Sequence, residues 1–493
     1  MDARASIPVS LPVSNPTTSY WQDPPDCEIA DHLSSLTVPE TADIVIIGSG
    51  ITGASIAWNL LTINDKPNSQ NSHPTSTQNK NIVMLEARQA CSGATGRNGG
   101  HTKAASYRTF LSNASTHSLS TAKQIARFEY ATLKAVHAFA RTHAIPCDSW
   151  TGDTVDIIYS QAPWDASMKG VSAIREAFKG EDDERTVARY EIWSREEAVR
   201  KWCVDGEGVV GAVSYEAGSL SAYKFVIGVL KLCLQKGLQL YTNTPAMKLH
   251  QTSDGSWEVE TAKGAIGAKQ VILATNGYTA FLHAAFQGCI VPLRGQVTAH
   301  RPGSNIPQEG LPGTYSFIHS SGYEYMIPRP PGCKSAGDII IGGGLTQAGE
   351  EGLSEYGETD DGRVNERISA YLTASTKMYF GERWGDDDRE GRVRREWTGV
   401  MGYSSDGYPF VGEVPFAGGG GGGRRGLWVC ASFQGHGMVL CWESGRALVD
   451  IMRGGGRGRE GFLPECFLVS EERMKMRFRG RLNTKVGKVD GRL

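Results

Sequence analysis

Ala42-Asp43-Ile44-Val45-Ile46-Ile47-Gly48-Ser49-Gly50-Ile51-Thr52-Gly53, continuing through Leu60, reads as a buried strand, a glycine-rich turn and a helix in immediate succession. The unbroken apolar run Ile44 to Ile47 is what a parallel strand covered on both faces requires. Gly48 allows the tight turn, Gly50 lets a pyrophosphate approach the backbone, and Gly53 lets the helix pack closely on the strand. Ser49, Ile51 and Thr52 complete the turn, and a diphosphate can sit on the N–H groups at the helix start. The stretch predicts a Rossmann-like dinucleotide domain rather than an ordinary strand-to-helix turn, without saying which dinucleotide.

Downstream, residues 64–81 are polar and low in complexity, an exposed insertion. Ile82-Val83-Met84-Leu85 then reads as a second buried strand, ending in Glu86. An acid there accepts hydrogen bonds from ribose hydroxyls and repels a 2′-phosphate; a plain surface glutamate is the alternative. Ala87-Arg88 follow, and then the loop Cys91 to Ala105, in which Ser92, Gly93, Ala94, Thr95, Gly96, Arg97, Asn98, Gly99, Gly100 and His101 leave little side chain in the way of a flat, bulky ligand. Ser92 and Thr95 can cap a helix or contact phosphate.

At 493 residues the chain exceeds one core and divides into two domains. A formal charge of −2 gives no sign of nucleic acid, and no apolar run reaches bilayer-spanning length. Ten singly spaced cysteines without a C-x-x-C read as reduced thiols of a cytoplasmic protein, with no metal site. The final Gly491-Arg492-Leu493 loosely echoes a peroxisomal tripeptide, which makes the peroxisome the second address. Gly418 to Gly423 reads as a flexible loop tip, residues 1–40 as an extended arm pinned through Tyr20-Trp21, and residues 453–493 as a solvated basic tail.

GSGITG, LEAR and SGATGRNGG, in that order, resemble the FAD-dependent oxidoreductases of the D-amino-acid oxidase and sarcosine oxidase superfamily, nearest the gamma-glutamylputrescine oxidase branch. Val271 to Tyr278, Ile290 to Gln296, Asp406 to Gly412 and Gly426 to Met438 resemble further family elements. The resemblance implies an α/β fold with a mixed-sheet α+β second domain. It places the FAD domain in 41–120, 204–290 and 396–452, and the substrate domain in 121–203 and 291–395. It adds Met247 near the adenine, Ala274-Thr275-Asn276-Gly277 and Gly407 along the cofactor, and Gly435-His436-Gly437-Met438 as a helix start aimed at the flavin.

The implied reaction is oxidation of a C–N bond of a small amine or amino acid by hydride transfer to flavin N5, with hydrolysis of the imine and O2 as acceptor. Rivals are a dehydrogenase or tailoring oxidase using another acceptor, and a non-catalytic flavin sensor. Candidates near the chemistry are His101, Arg97, Tyr403 and His436. A substrate carboxylate calls for an arginine fork from Arg97, Arg294 or Arg329, with Tyr325, Trp397, Tyr403 and Gln434 as walls. Some relatives attach FAD through a cysteine; Glu396 to Tyr403 has none, so noncovalent FAD is expected, with a link through His101 as the second option. The oxygen-activating lysine of sarcosine-oxidase-like enzymes aligns approximately with Ile340.

Overall fold

The computed structural model describes residues 1–62, 80–415, 425–456 and 461–480. Most of the 64–81 insertion, the glycine run and the end of the basic tail lie outside them. Two sheets organise the rest.

The nucleotide sheet runs Phe410–Glu413, Leu427–Ala431, Gly264–Leu273, Thr41–Ile47, Ile82–Leu85, Gln239–Tyr241, with the hairpin Lys248–Gln251/Trp257–Thr261 attached to Gly264–Leu273. Thr41–Ile47 is central and parallel to both neighbours, Ile47 standing level with Leu85 and Leu273. Ile44 and Ile46 pack with the helices Ile51–Thr62, Ala222–Gln235 and Cys441–Met452 on one face. Val45 and Ile47 pack with Trp257, Val259 and Phe410 on the other. This two-sided burial is why the run has no polar alternation, and each fully buried side chain contributes about 1.5–3 kcal/mol.

The second sheet runs Val393–Ser404, Ile290–His300, Ile339–Gly342, Gly322–Pro328, Thr314–His319, Trp150–Ile158, Gly211–Ser219, His101–Lys103. Along that path only Thr314–His319 with Trp150–Ile158 is parallel. Its outer face packs against the helix Glu366–Phe380. The helices Leu119–Thr142 and Gln161–Phe178 cover part of its inner face.

Three strands cross the expected domain boundaries: His101–Lys103, Gly211–Ser219 and Val393–Ser404 join the second sheet rather than the nucleotide sheet. Their patterns suit either sheet, and the partner, such as Ser219 for His101 or Tyr403 for Val291, decides. The helix expected from Gln434 begins only at Cys441, after a single 3-10 turn over Gly437–Val439. Ser432, Gln434 and Gly435 hold φ of +67°, +55° and +74°, which a right-handed helix cannot contain.

The N-terminal arm is held along its length. Arg4 donates to Tyr356 O, Ser19 Oγ to Gly96 O and Trp21 Nε1 to Asn98 O, and Ala90 N donates to Ala30 O. It thus bridges the second domain and the back of the Ser92–Gly100 loop.

Candidate functional site

At the phosphate end, a Cβ on Gly53 would lie 2.0 Å from Gly48 O, so helix and strand approach as closely as the glycine pattern demands. Gly50, Thr52 and Gly53 carry N–H groups ahead of the first intrahelical bond, Ala54 N to Gly50 O at 2.9 Å. Ile51 N donates to Thr95 Oγ1 at 3.1 Å, so the second loop caps the first helix. Glu86 sits at its strand end with Oε2 accepting from Ser49 N and Oγ, and Oε1 from Arg88 N. Ser92 Oγ is buried without a partner, and a Cβ on Gly93 would meet nothing within 4 Å. An orphaned buried hydroxyl beside open space and a helix start fits the diphosphate of FAD.

The surrounding expectations fall into place unevenly. Ala274 abuts Gly48, and Asn276 Oδ1 accepts from Ser432 N at 3.0 Å and Phe433 N at 3.4 Å, tying two strand ends together. Thr275 shares a hydroxyl hydrogen bond with Thr279, and Gly277 packs on Met401 O. Gly407 lies in the turn before Phe410–Glu413 with open space on its Cβ side. Met247 is 41% exposed while Ala246 beside it is buried.

At the other end two distant segments meet: Asn98 Nδ2 lies 3.5 Å from Met438 Sδ. A Cβ on Gly99 would lie 2.3 Å from Tyr325 Cε2, and one on Gly435 would lie 2.6 Å from the Tyr403 hydroxyl. Gly99 and Gly435 therefore each lie against one of the two expected tyrosines, whereas Gly100 abuts Leu220 O. Burial pushes the Tyr325 phenol up, with Tyr323 and Tyr403 adding to the shift, so it stays protonated. His436 Nδ1 lies 2.9 Å from Gln434 O and is oriented by it. Gly437 follows with Cys441 Sγ against it.

The arginine expectations are corrected, because acceptors within the protein already engage all three side chains, Arg329 through one nitrogen while its Nε is buried without a partner among the described residues. Arg97 donates to Ser92 O, Thr398 O and Thr17 O at 2.7–2.8 Å, clamping loop, second sheet and arm together. Arg294 binds Glu355 and Asp360 O. Arg329 binds Asp148 at 2.8 Å and stacks on Trp21. Arg88 holds Asp361 bidentately at 2.8 and 3.0 Å. Two wall residues also turn away: Trp397 is fully buried and donates to Arg97 O, and the Gln434 amide clips onto Ser404 and Ser432.

In their place the inner face of the second sheet carries a polar row of which the sequence reading named only His101. His101 Nε2 lies 2.8 Å from Thr314 Oγ1, and burial pushes the imidazole well below its ordinary value, helped by Lys103. The His101 ring is thus neutral, and its Nε2 is turned to threonine. Lys103 Nζ reaches Asp156 Oδ1 at 3.1 Å and Ser316 Oγ. Tyr107 and Tyr215 hydroxyls donate to Asp156 Oδ2 at 2.7 and 3.0 Å. Burial raises the Asp156 carboxyl, but Lys103 and Arg108 overcome it and hold the group below the usual range. Arg108 lies over the Tyr323 ring at 4.6 Å. The signal available in sequence was the period-two alternation of His101 and Lys103, too short to be read as a strand. Ile340, on the inner face, is fully buried in the apolar core.

Residues 43–451 match the family described as FAD dependent oxidoreductase, DAO, and the chain belongs to it. It is 22% identical over 425 residues to a probable oxidoreductase, OrdL, of Rhizobium meliloti (strain 1021), covering 84% of this chain and 83% of that one. It is 20% identical over 424 residues to gamma-glutamylputrescine oxidoreductase of Escherichia coli (strain K12), covering 86% of each. The crystal structure of glycine oxidase from Geobacillus kaustophilus superposes with a TM-score of 0.66 at 19% identity, over 88% of this chain and 99% of that one, a likeness of fold. The protein is a FAD-dependent oxidoreductase with a mixed-sheet second domain, and FAD is its cofactor. Among the described residues no helix is long and apolar enough to cross a membrane.

Proposed function

We propose that this protein oxidises a C–N bond of a small amine or amino acid to an imine that water hydrolyses. The observation that carries the reading is the pair of close approaches, Tyr325 on Gly99 and Tyr403 on Gly435, which brings two protein walls against the two glycine segments assigned to the flavin. When bound, FAD supplies the electron sink, accepting a hydride at N5.

The chain's own residues place and shield. Gly48 to Gly53, Ser92 and Thr95 hold the diphosphate, Glu86 the ribose, and the Gly99–Gly100 and Gly435–Gly437 backbones flank the ring. Tyr325 and Tyr403 exclude water and offer hydroxyls, and the neutral His101 adds no positive charge to oppose an incoming ammonium. FAD is held without a covalent bond, because Glu396 to Tyr403 has no cysteine and His101 Nε2 is engaged by Thr314. Relatives named gamma-glutamylputrescine oxidoreductase and glycine oxidase support the amine class.

Dioxygen is the proposed acceptor. A second reading, a dehydrogenase with another acceptor, has its own support: Ile340 is apolar where sarcosine-oxidase-like enzymes place a lysine, and Lys103 is neutralised by Asp156.

Purified protein is expected to be yellow and to release its flavin on acid precipitation. An amine or amino acid should bleach it under argon, and air should restore the colour with peroxide. No bleaching by any amine or amino acid in a broad panel would overturn the amine reading. Bleaching without peroxide selects the dehydrogenase.

A further inference from the structure

Residues 461–480 lie beyond the stretch that matches the family, residues 43–451, and pack along the edge strand Phe410–Glu413. Leu468 bridges Val411, and Val469 N donates to Val411 O at 3.2 Å. From the short helix Glu471–Lys475 the Arg473 side chain folds back onto the turn at residues 406–409. Its Nε and Nη2 donate to Asp406 at 2.5 and 3.0 Å, Nη2 also to Tyr408 O at 3.1 Å, and Nη1 to Pro409 O at 3.0 Å and Leu468 O at 2.7 Å. The guanidinium lies over the Phe410 ring at 4.0 Å, and neither member of the ion pair is more than 13% exposed. A guanidinium has five N–H donors, and these bonds use them all. The carboxylate takes two of them and backbone carbonyls take the rest, so the shape of the turn is held as well as its charge.

The turn is tied onward. Asp406 Oδ1 accepts from Ser404 Oγ at 3.0 Å and from Tyr408 N at 3.2 Å. Ser404 Oγ accepts from Gln434 Nε2 at 2.7 Å, and Ser404 N donates to Gln434 Oε1 at 3.3 Å. Gln434 stands between Ser432 and Gly435, all three with positive φ, and its carbonyl lies 2.9 Å from His436 Nδ1. Non-glycine residues persist in that conformation only where the surroundings over-determine it. The Gln434 side chain is the group through which the surroundings act, and the bonds that reach it begin at Arg473. An arginine outside the matched stretch is thereby joined to the Gly435 to Gly437 backbone assigned to the flavin ring.

We propose that Arg473 is a positioning residue for the flavin: through Asp406, Ser404 and Gln434 it holds the turn from Ser432 to Gly437 in the shape that stabilises the charge gathered on reduction, and so raises the midpoint potential of the bound FAD. The inference rests on the placement of that turn beside the flavin and not on the identity of the substrate, so a failed amine panel leaves it standing.

The test is the midpoint potential of the FAD-loaded protein, titrated against redox dyes, with flavin content and Tm followed in parallel. Arg473→Met should disfavour the reduced flavin by about 10-fold, a fall of about 30 mV for a two-electron couple, the scale on which residues without ligand contact alter a distant equilibrium. Arg473→Lys, which keeps the charge and loses the fork, should fall between. Ser404→Ala breaks the same chain of bonds nearer the flavin, and combining it with Arg473→Lys should lower the potential no further than Ser404→Ala alone, because the two act in series. Met474→Ala loosens the packing of the same short helix without touching these bonds, so it should lower Tm and leave the potential unchanged. A wild-type potential in Arg473→Met or in Ser404→Ala, or an equal shift in Met474→Ala, refutes the positioning role. Gly435→Ala, whose methyl would lie 2.6 Å from the Tyr403 hydroxyl, tests the placement itself. If it shifts the potential and Arg473→Met does not, the role of Arg473 alone falls; if neither does, the turn does not face the flavin and the placement falls with it. Should Arg473→Met fail to retain flavin, Arg473→Lys and Ser404→Ala decide.

Discussion

Asp361 is the acid on which the flavin loop, the N-terminal arm and the second domain converge, and Asp361→Asn removes its charge while keeping its shape. Its oxygens meet Arg88 Nη1 at 2.8 Å and Nη2 at 3.0 Å, and Oδ2 lies 3.4 Å from Arg97 Nε. All three side chains are at most 9% exposed. The carbonyls of Val13 and Ser92 still accept from Arg88, and those of Ser92, Thr17 and Thr398 from Arg97, so the guanidiniums keep hydrogen bonds but lose their counter-charge. Stranding buried charge in this way costs about 3–5 kcal/mol. Urea unfolding followed by tryptophan fluorescence and by flavin release should show a large drop in midpoint. Flavin should leave first, because Ser92 is bound to both arginines through its carbonyl. Lys248→Ala, which breaks an exposed pair with Glu260, serves as the comparison and should shift stability by less than about 0.5 kcal/mol. If Asp361→Asn were no worse than Lys248→Ala, the assignment of this centre as the clamp of the flavin loop would be wrong.

Gly53→Ala places a methyl 2.0 Å from Gly48 O, and the clash is with backbone, so the helix must leave the strand; the protein is expected to purify without flavin or not to fold, and normal flavin stoichiometry would contradict the packing argument. Glu129 has its carboxyl pushed from 4.5 to about 7 by burial, with Ser106 hydrogen-bonded to it. The folded state therefore holds this proton more tightly than the unfolded chain, and its contribution is greatest below pH 4.5 and is lost as pH rises to about 7. Glu129→Gln should remove up to about 3 kcal/mol of that pH dependence, narrowing the difference in Tm between about pH 5 and about pH 8. An unchanged Tm profile would count against a proton held at Glu129.

Much of the cofactor site was legible in sequence because it is built from local patterns. The strand, turn and helix of Ala42 to Leu60 are specified by apolar continuity and by three glycines whose spacing is itself the geometry. The small-residue loop to Gly100 was also readable from local residue character and from the family resemblance, and Tyr325 and Tyr403, expected as walls, lie against Gly99 and Gly435. The substrate end was not. An arginine looks the same in sequence whether it faces a ligand or a carbonyl, and the acceptors that engage Arg88 and Arg97 stand as far as 273 and 301 residues along the chain. The membership of His101–Lys103 in the second sheet likewise depends on Ser219 and Ala217, not on its own three residues. What the sequence by itself determined is the nucleotide-binding turn and the cofactor class, since both follow from contacts between near neighbours. Only the tertiary structure decided which acids and carbonyls engage each cation, because charge pairing is settled by segments brought together only in the folded chain.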